Sequence, residues 1–153
     1  MLINETLQGL PAAERFEFFH NQVSEIFFPM SCERGVNCQG DFDAGILSQQ
    51  LGNLGFSAVK SSPLDVYRRH SDISAATDST YLVKVQVEGE GLVQQKGREA
   101  HLTPGDFTLC LSSEPYELHF KDSYTQVVLS VPQALLEECV HQPSQHLGVR
   151  MDS

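Results

Sequence analysis

The sequence predicts a mainly β fold, a sandwich or barrel of short strands with one helix at each end. Three observations carry this. From Asp43 onward, apolar and polar residues alternate with a period of two in short runs. Gly, Pro, Ser and Asp clusters part those runs at even spacing. The stretch VEGEGLVQQKGREAHLTPGDFTL, Val87 to Leu109, shows the scheme most clearly. Gly89 and Gly91 bracket one bend, Lys96-Gly97 makes a tight turn, and Pro104-Gly105-Asp106 makes another. That pattern is strand, turn, strand, turn, strand, with no room for a helix.

The elements follow in order. In AAERFEFFHNQVSEIFF the apolar residues Phe16, Phe19, Val23, Ile26 and Phe27 recur at helical spacing, giving a helix over about residues 12–28. Pro11 precedes it and Pro29 stops it. Such a helix covers a sheet or serves as an arm for a partner. SCERGVNCQGDF is polar and Gly-punctuated and reads as loop. AGILSQQLG, GFSAVKSS and DVYRR read as strands, and HSDISAATDS as a polar loop. TYLVKVQVEG is the strongest strand, with Tyr81, Val83, Val85 and Val87 on one face; YELHF and TQVVLSV complete a barrel of about residues 42–131. PQALLEECVHQ turns helical over about residues 132–141, with Leu135, Leu136, Cys139 and Val140 as its apolar side. PSQHLGVRMDS reads as a polar tail.

The 153 residues fit a single domain with one core. A net charge of −10 excludes a nucleic-acid grip by this chain alone, because phosphate binding needs a basic face. No apolar run is long enough to span a bilayer, and no signal-peptide layout opens the chain, so no membrane partner is expected. Cys32, Cys38, Cys110 and Cys139 lack zinc spacing and read as reduced thiols of a cytoplasmic protein.

The stretch quoted above resembles the core of the cupin, or double-stranded β-helix (jelly-roll), fold, in which a Gly-x-Gly bend, a Gly turn and a Pro-Gly-Asp turn recur in this order. Together with SSEPYEL, VVLSVPQALLE, FFPMSC and SSPLDVYRRH it is similar to the N-terminal sensor domain of AraC/XylS-family transcription regulators, from about Phe16 to Val140. The resemblance implies a cupin-like barrel with flanking α-helices, an effector pocket inside it, and a regulator that forms a homodimer at full length. It also implies a C-terminal helix-turn-helix domain, which nothing after Pro132 supplies, so DNA contact is expected only through a domain missing from this chain.

Catalytic cupins present a His-x-His pair and a Glu before the Gly-x-Gly bend and a further His after the Pro-Gly-Asp turn, so that imidazole and carboxylate donors converge on a metal. Here SDISAATDSTYLVKVQV contains no histidine, Tyr116 and Glu117 stand near the late position, and His70, His101 and His119 are scattered. No nucleophile elbow, phosphate loop or HExxH motif occurs, and no catalytic residue, metal or cofactor is expected. The alternatives are a metal-poor cupin-type enzyme and a purely structural dimerisation module.

Placing the apolar sets of YELHF and TQVVLSV inward gives a lining of Tyr116, Leu118, Thr125, Val127 and Leu129, and the resemblance points to the same positions. Arg69, by the resemblance, and Lys84, a charge within an apolar strand, are the candidate polar handles for an aromatic or anionic small-molecule effector. Either also fits a solvent-facing position.

Overall fold

The computed structural model describes the backbone of residues 2–6 and residues 10–35, 40–73 and 79–152 in full. Cys38 and part of the HSDISAATDS loop lie outside the described residues. Strand β1 (Leu2–Thr6) precedes helix α1 (Ala12–Ile26), and β2 (Ser31–Arg34), β3 (Ala44–Leu51), β4 (Leu54–Ser61) and β5 (Leu64–Arg68) follow. After a 3-10 turn at His70–Asp72 come β6 (Thr80–Glu88), β7 (Gly91–Gln95), β8 (Arg98–Leu102), β9 (Phe107–Leu111), β10 (Tyr116–Phe120) and β11 (Tyr124–Pro132). Helix α2 (Gln133–Cys139) and a 3-10 turn at Pro143–His146 close the chain.

The strands form two antiparallel sheets, one ordered β1-β3-β4-β11-β6-β9 and the other β2-β5-β10-β7-β8. This is the jelly-roll arrangement expected of a cupin-like barrel. The turns fall where the residue chemistry places them. Lys96 and Gly97 both take positive φ, 56° and 72°, in the two-residue link between β7 and β8, a geometry that glycine adopts freely. Gly91 is needed for a different reason. A Cβ there would stand 2.7 Å from Cε1 of Phe120, so only a bare Cα lets β7 pass that ring. At the Pro104-Gly105-Asp106 turn the Asp106 carboxylate accepts the Thr103 backbone N–H and hydroxyl, both at 2.9 Å.

Two strands were not legible. Ser31–Arg34, expected as loop, pairs antiparallel with β5, Cys32 opposite Val66. Leu2–Thr6 pairs with β3. Both depend on partners distant in sequence, which local polarity cannot reveal. The tail is also more than a polar end. Leu147 is fully buried, Arg98 donates to its carbonyl at 2.6 Å, and Met151 exchanges backbone hydrogen bonds with Phe107 at the free edge of β9.

The main core fills the space between the sheets and beneath α1, drawing Phe19 and Val23 from the helix and Val66, Leu118, Phe120, Leu82 and Val128 from the strands. A second cluster lies on the outer side of the six-stranded sheet, where Tyr81, Leu109, Leu111 and Leu147 pack with Val83, Leu136 and Met151. Two buried thiols set an alkaline limit on the fold. Burial pushes Cys32 up to about 12 and Cys110 up to about 11 from an ordinary value of 9.0. Their folded-state values are raised, so their contribution is intact below pH 9.0 and is lost as pH rises towards 11–12, where the unfolded chain ionises first. Urea unfolding at stepped pH is expected to show stability falling above pH 9.0, with a shallower fall in Cys32→Ala.

Candidate ligand-binding site

The interior of the barrel is built from alternate residues of facing strands. On the five-stranded sheet, β5 sends in Leu64 and Val66 while β10 sends in Tyr116, Leu118 and Phe120. On the other sheet, β11 sends in Tyr124, Gln126 and Val128, and β6 sends in Leu82, Lys84 and Gln86. Tyr116 and Leu118 are therefore inside, as their alternation predicts.

The expected lining from β11 has the wrong phase. Thr125, Val127 and Leu129 face outward, with Leu129 39% exposed and the Thr125 hydroxyl bonded to Glu88 Oε1 at 2.8 Å. On β6 the face holding Tyr81, Val83, Val85 and Val87 is likewise the outer one, and Val87 is exposed. The reason is physical. The outer side of β6 and β9 is covered by α2 and the tail, so it needs apolar residues too. The inner side carries a polar patch. Gln126 Nε2 donates to Gln86 Oε1 at 3.1 Å, across directly paired positions of β11 and β6.

Lys84 is the exceptional residue of that patch. It is 5% exposed and lies 5.4 Å from the centre of the Tyr116 ring. It lines a small cavity with Tyr116, Leu118, Gln126 and Val128, roofed by Phe19, Val23 and Phe27 of α1 and its C-terminal end. No carboxylate pairs with it among the described residues, and no Asp, Glu or His lines the cavity. Burial lowers its pKa from the ordinary 10.5, partly offset by Cys110 nearby. The cavity measures about 40 Å³. That admits a water or two.

The roof is held by apolar contact. Phe16 meets the Phe42 ring edge-on with centroids 5.2 Å apart, and Phe19 meets it at 5.5 Å. Neither end of α1 has a side-chain cap. His20 Nε2 and Ser24 Oγ bond to the Met30 carbonyl, at 2.7 and 3.3 Å, which ties the helix to its own exit loop.

The adjacent arginines have opposite fates. Arg68, not singled out by the sequence, is 2% exposed. Its Nε donates to the Ser112 carbonyl at 2.9 Å, and its Nη1 to those of Pro29 at 2.7 Å and Asp72 at 3.1 Å. The predicted handle Arg69 is exposed, its guanidinium 4.6 Å from the centre of the Tyr67 ring, and it does not line the barrel cavity. It lines a separate open cleft of about 490 Å³ at one end of the five-stranded sheet. The structure thus brings Lys84, Tyr116 and Leu118 together and leaves Arg69, Thr125, Val127 and Leu129 elsewhere. Gln126, Val128 and Tyr124, which the sequence reading passed over, complete the cavity.

The family model of the AraC-binding-like domain matches residues 19–153. The chain belongs to this family. As an AraC-binding-like domain it is a regulatory sensing module on a cupin-type fold. A protein from Bacillus sp. strain OxB-1, described as an uncharacterized protein in the nit 5′ region, is 28% identical over 138 residues, covering 90% of this chain and 53% of that protein. The crystal structure of the AraC-like transcriptional activator CuxR superposes with a TM-score of 0.76 at 15% identity, over 91% of this chain and 50% of that one. A predicted oxalate decarboxylase from Thermotoga maritima reaches a TM-score of 0.47 at 15% identity, over 67% of this chain and 93% of that one. The AraC-binding-like domain described here thus spans about half the length of the first two proteins. No helix among the described residues is long and apolar enough to cross a membrane.

Proposed function

We propose that this domain is a non-catalytic sensor whose barrel cavity, opened by displacement of α1, takes a small apolar molecule bearing one anionic group. Lys84 carries the reading. A buried amine without an acidic partner costs stability unless something compensates it, and a ligand carboxylate beside it would do so. The remaining walls suit an apolar body, since Phe19, Val66, Leu118 and Val128 line the same cavity and the Tyr116 ring lies beneath the amine.

At about 40 Å³ the cavity lies far below the ~300–1,000 Å³ of small-molecule sites, so a ligand needs α1 to move. Its apolar seating and uncapped ends favour that movement. Binding would then set the position of α1, a two-state element that DNA-contacting parts of a longer regulator could read. A sensor is favoured over a metal-dependent cupin enzyme because, among the described residues, no carboxylate or imidazole lines the cavity to ligate a metal.

The test is a thermal-shift screen with aromatic and branched aliphatic monocarboxylates. A ligand that binds only the folded state at a hundredfold excess over its Kd should raise Tm by about 5–10 °C. Val128→Trp, which fills the cavity, is expected to abolish the response, whereas Val127→Trp on the outer face is expected to retain it. A response indifferent to Val128→Trp would move the site out of the barrel.

A further inference from the structure

The open cleft at the end of the five-stranded sheet is not used by the barrel reading, and its chemistry differs. Its floor is a cross-strand row. Tyr67 faces Glu117, Glu117 faces Gln94, and Gln94 faces Glu99 in the register of β5, β10, β7 and β8. Its rim includes Arg69 and His70 on one side and Lys96, Gly97 and Arg98 on the other. Four of the ten Lys and Arg residues of an acidic chain line this one cleft, alongside two acids, Glu99 and Glu117.

The pairing of these groups decides what the cleft can take. Both acids are engaged: Gln94 Nε2 bonds to Glu99 at 2.8 Å, and His119 Nε2 meets Glu117 at 3.2 Å. Arg68 and Arg98 spend their guanidiniums on backbone carbonyls and serve as framework. Two cations remain. Arg69 has no carboxylate partner among the described ion pairs, and its guanidinium carbon lies over the Tyr67 ring, 4.6 Å from the ring centre. Lys96 reaches Glu114 only at 3.9 Å, with both side chains well exposed, a contact worth little. They follow β5 and β7, whose backbones run two strand spacings apart, roughly 10 Å, a gap that two long side chains can close on a single anion. The volume of about 490 Å³ is that of a preformed small-molecule site.

We propose that this cleft is a second binding site, for an anion carried on a flat ring: the ring packs against Tyr67 and Arg69, and the anion is held by Arg69 and Lys96. Tyr116 lines both the cleft and the barrel cavity, so the two sites share one wall. This site does not depend on a ligand entering the barrel.

The test uses phenyl phosphate, benzoate and inorganic phosphate as probes, followed by backbone amide shifts of the labelled protein. Either aryl anion should shift the amides of Tyr67–His70 and Gln94–Glu99, and the arm that binds more tightly assigns phosphate or carboxylate. Arg69→Met should weaken binding roughly tenfold or more, as expected for loss of a charge-assisted contact. Lys96→Met should weaken it less, and Val128→Trp should leave it unchanged. The assignment is overturned if neither aryl anion shifts those amides, if Arg69→Met binds like the parent, or if inorganic phosphate binds as tightly as phenyl phosphate. The Arg69→Met protein should unfold at the parent's denaturant midpoint, which separates lost binding from lost folding.

Discussion

Arg68→Met is expected to lower the unfolding free energy by about 1.5–3 kcal/mol, the range for losing charge-assisted hydrogen bonds to neutral carbonyls. The guanidinium joins three segments far apart in sequence, through the carbonyls of Pro29, Asp72 and Ser112. It also sits 5.1 Å from the centre of the Phe28 ring. Methionine keeps part of the stem but takes the donor from those carbonyls, of which that of Ser112 is buried and those of Pro29 and Asp72 are partly so. Arg69→Met, one residue along and exposed, is expected to stay within about 0.5 kcal/mol of the parent. Urea denaturation of both variants makes the comparison. Equal stabilities would mean that the Arg68 contacts contribute nothing net to the fold.

Lys84→Met is expected to stabilise the protein by about 1–3 kcal/mol near neutral pH, because it replaces a buried amine by an apolar chain of similar length. The gain should depend on pH with a definite sign. The folded-state pKa of Lys84 lies below its ordinary 10.5, so between those two values the unfolded chain holds the extra proton. The stability of the parent contributed by this residue therefore rises with pH across that window. The advantage of Lys84→Met should shrink as pH approaches 10.5, even though the buried thiols lower both proteins together. If the variant is less stable than the parent, or if the gap is flat with pH, the amine is already compensated.

The turns were legible because they depend on local chemistry. Lys96-Gly97 and Pro104-Gly105-Asp106 occur where glycine, proline and aspartate place them. Helices α1 and α2 were legible from their spacing and from Pro11 and Pro132. The facing of β6 and β11 was not. The rule that apolar residues point inward assumes one solvated face, whereas Val83 and Tyr81 serve a second cluster beneath the tail. The adjacent apolar pair Val127-Val128 carries no phase of its own. The signal that was available is polar: Lys84, Gln86 and Gln126 share parity with Leu82 and Val128, and register makes Gln86 and Gln126 direct neighbours. The role of Arg68 was invisible for another reason. Two of its acceptors lie 39 and 44 residues away, and no local pattern encodes such a contact.

The most direct test of the barrel site is methyl NMR of the labelled protein, titrated with the monocarboxylate that gives the largest thermal shift. The expected result is saturable movement of the Val66, Leu118 and Val128 methyls, which face the cavity around Lys84, and its loss in Lys84→Met. Movement confined to Val127 and Leu129 on the outer face, or undiminished in Lys84→Met, would contradict a ligand held by Lys84 inside the barrel.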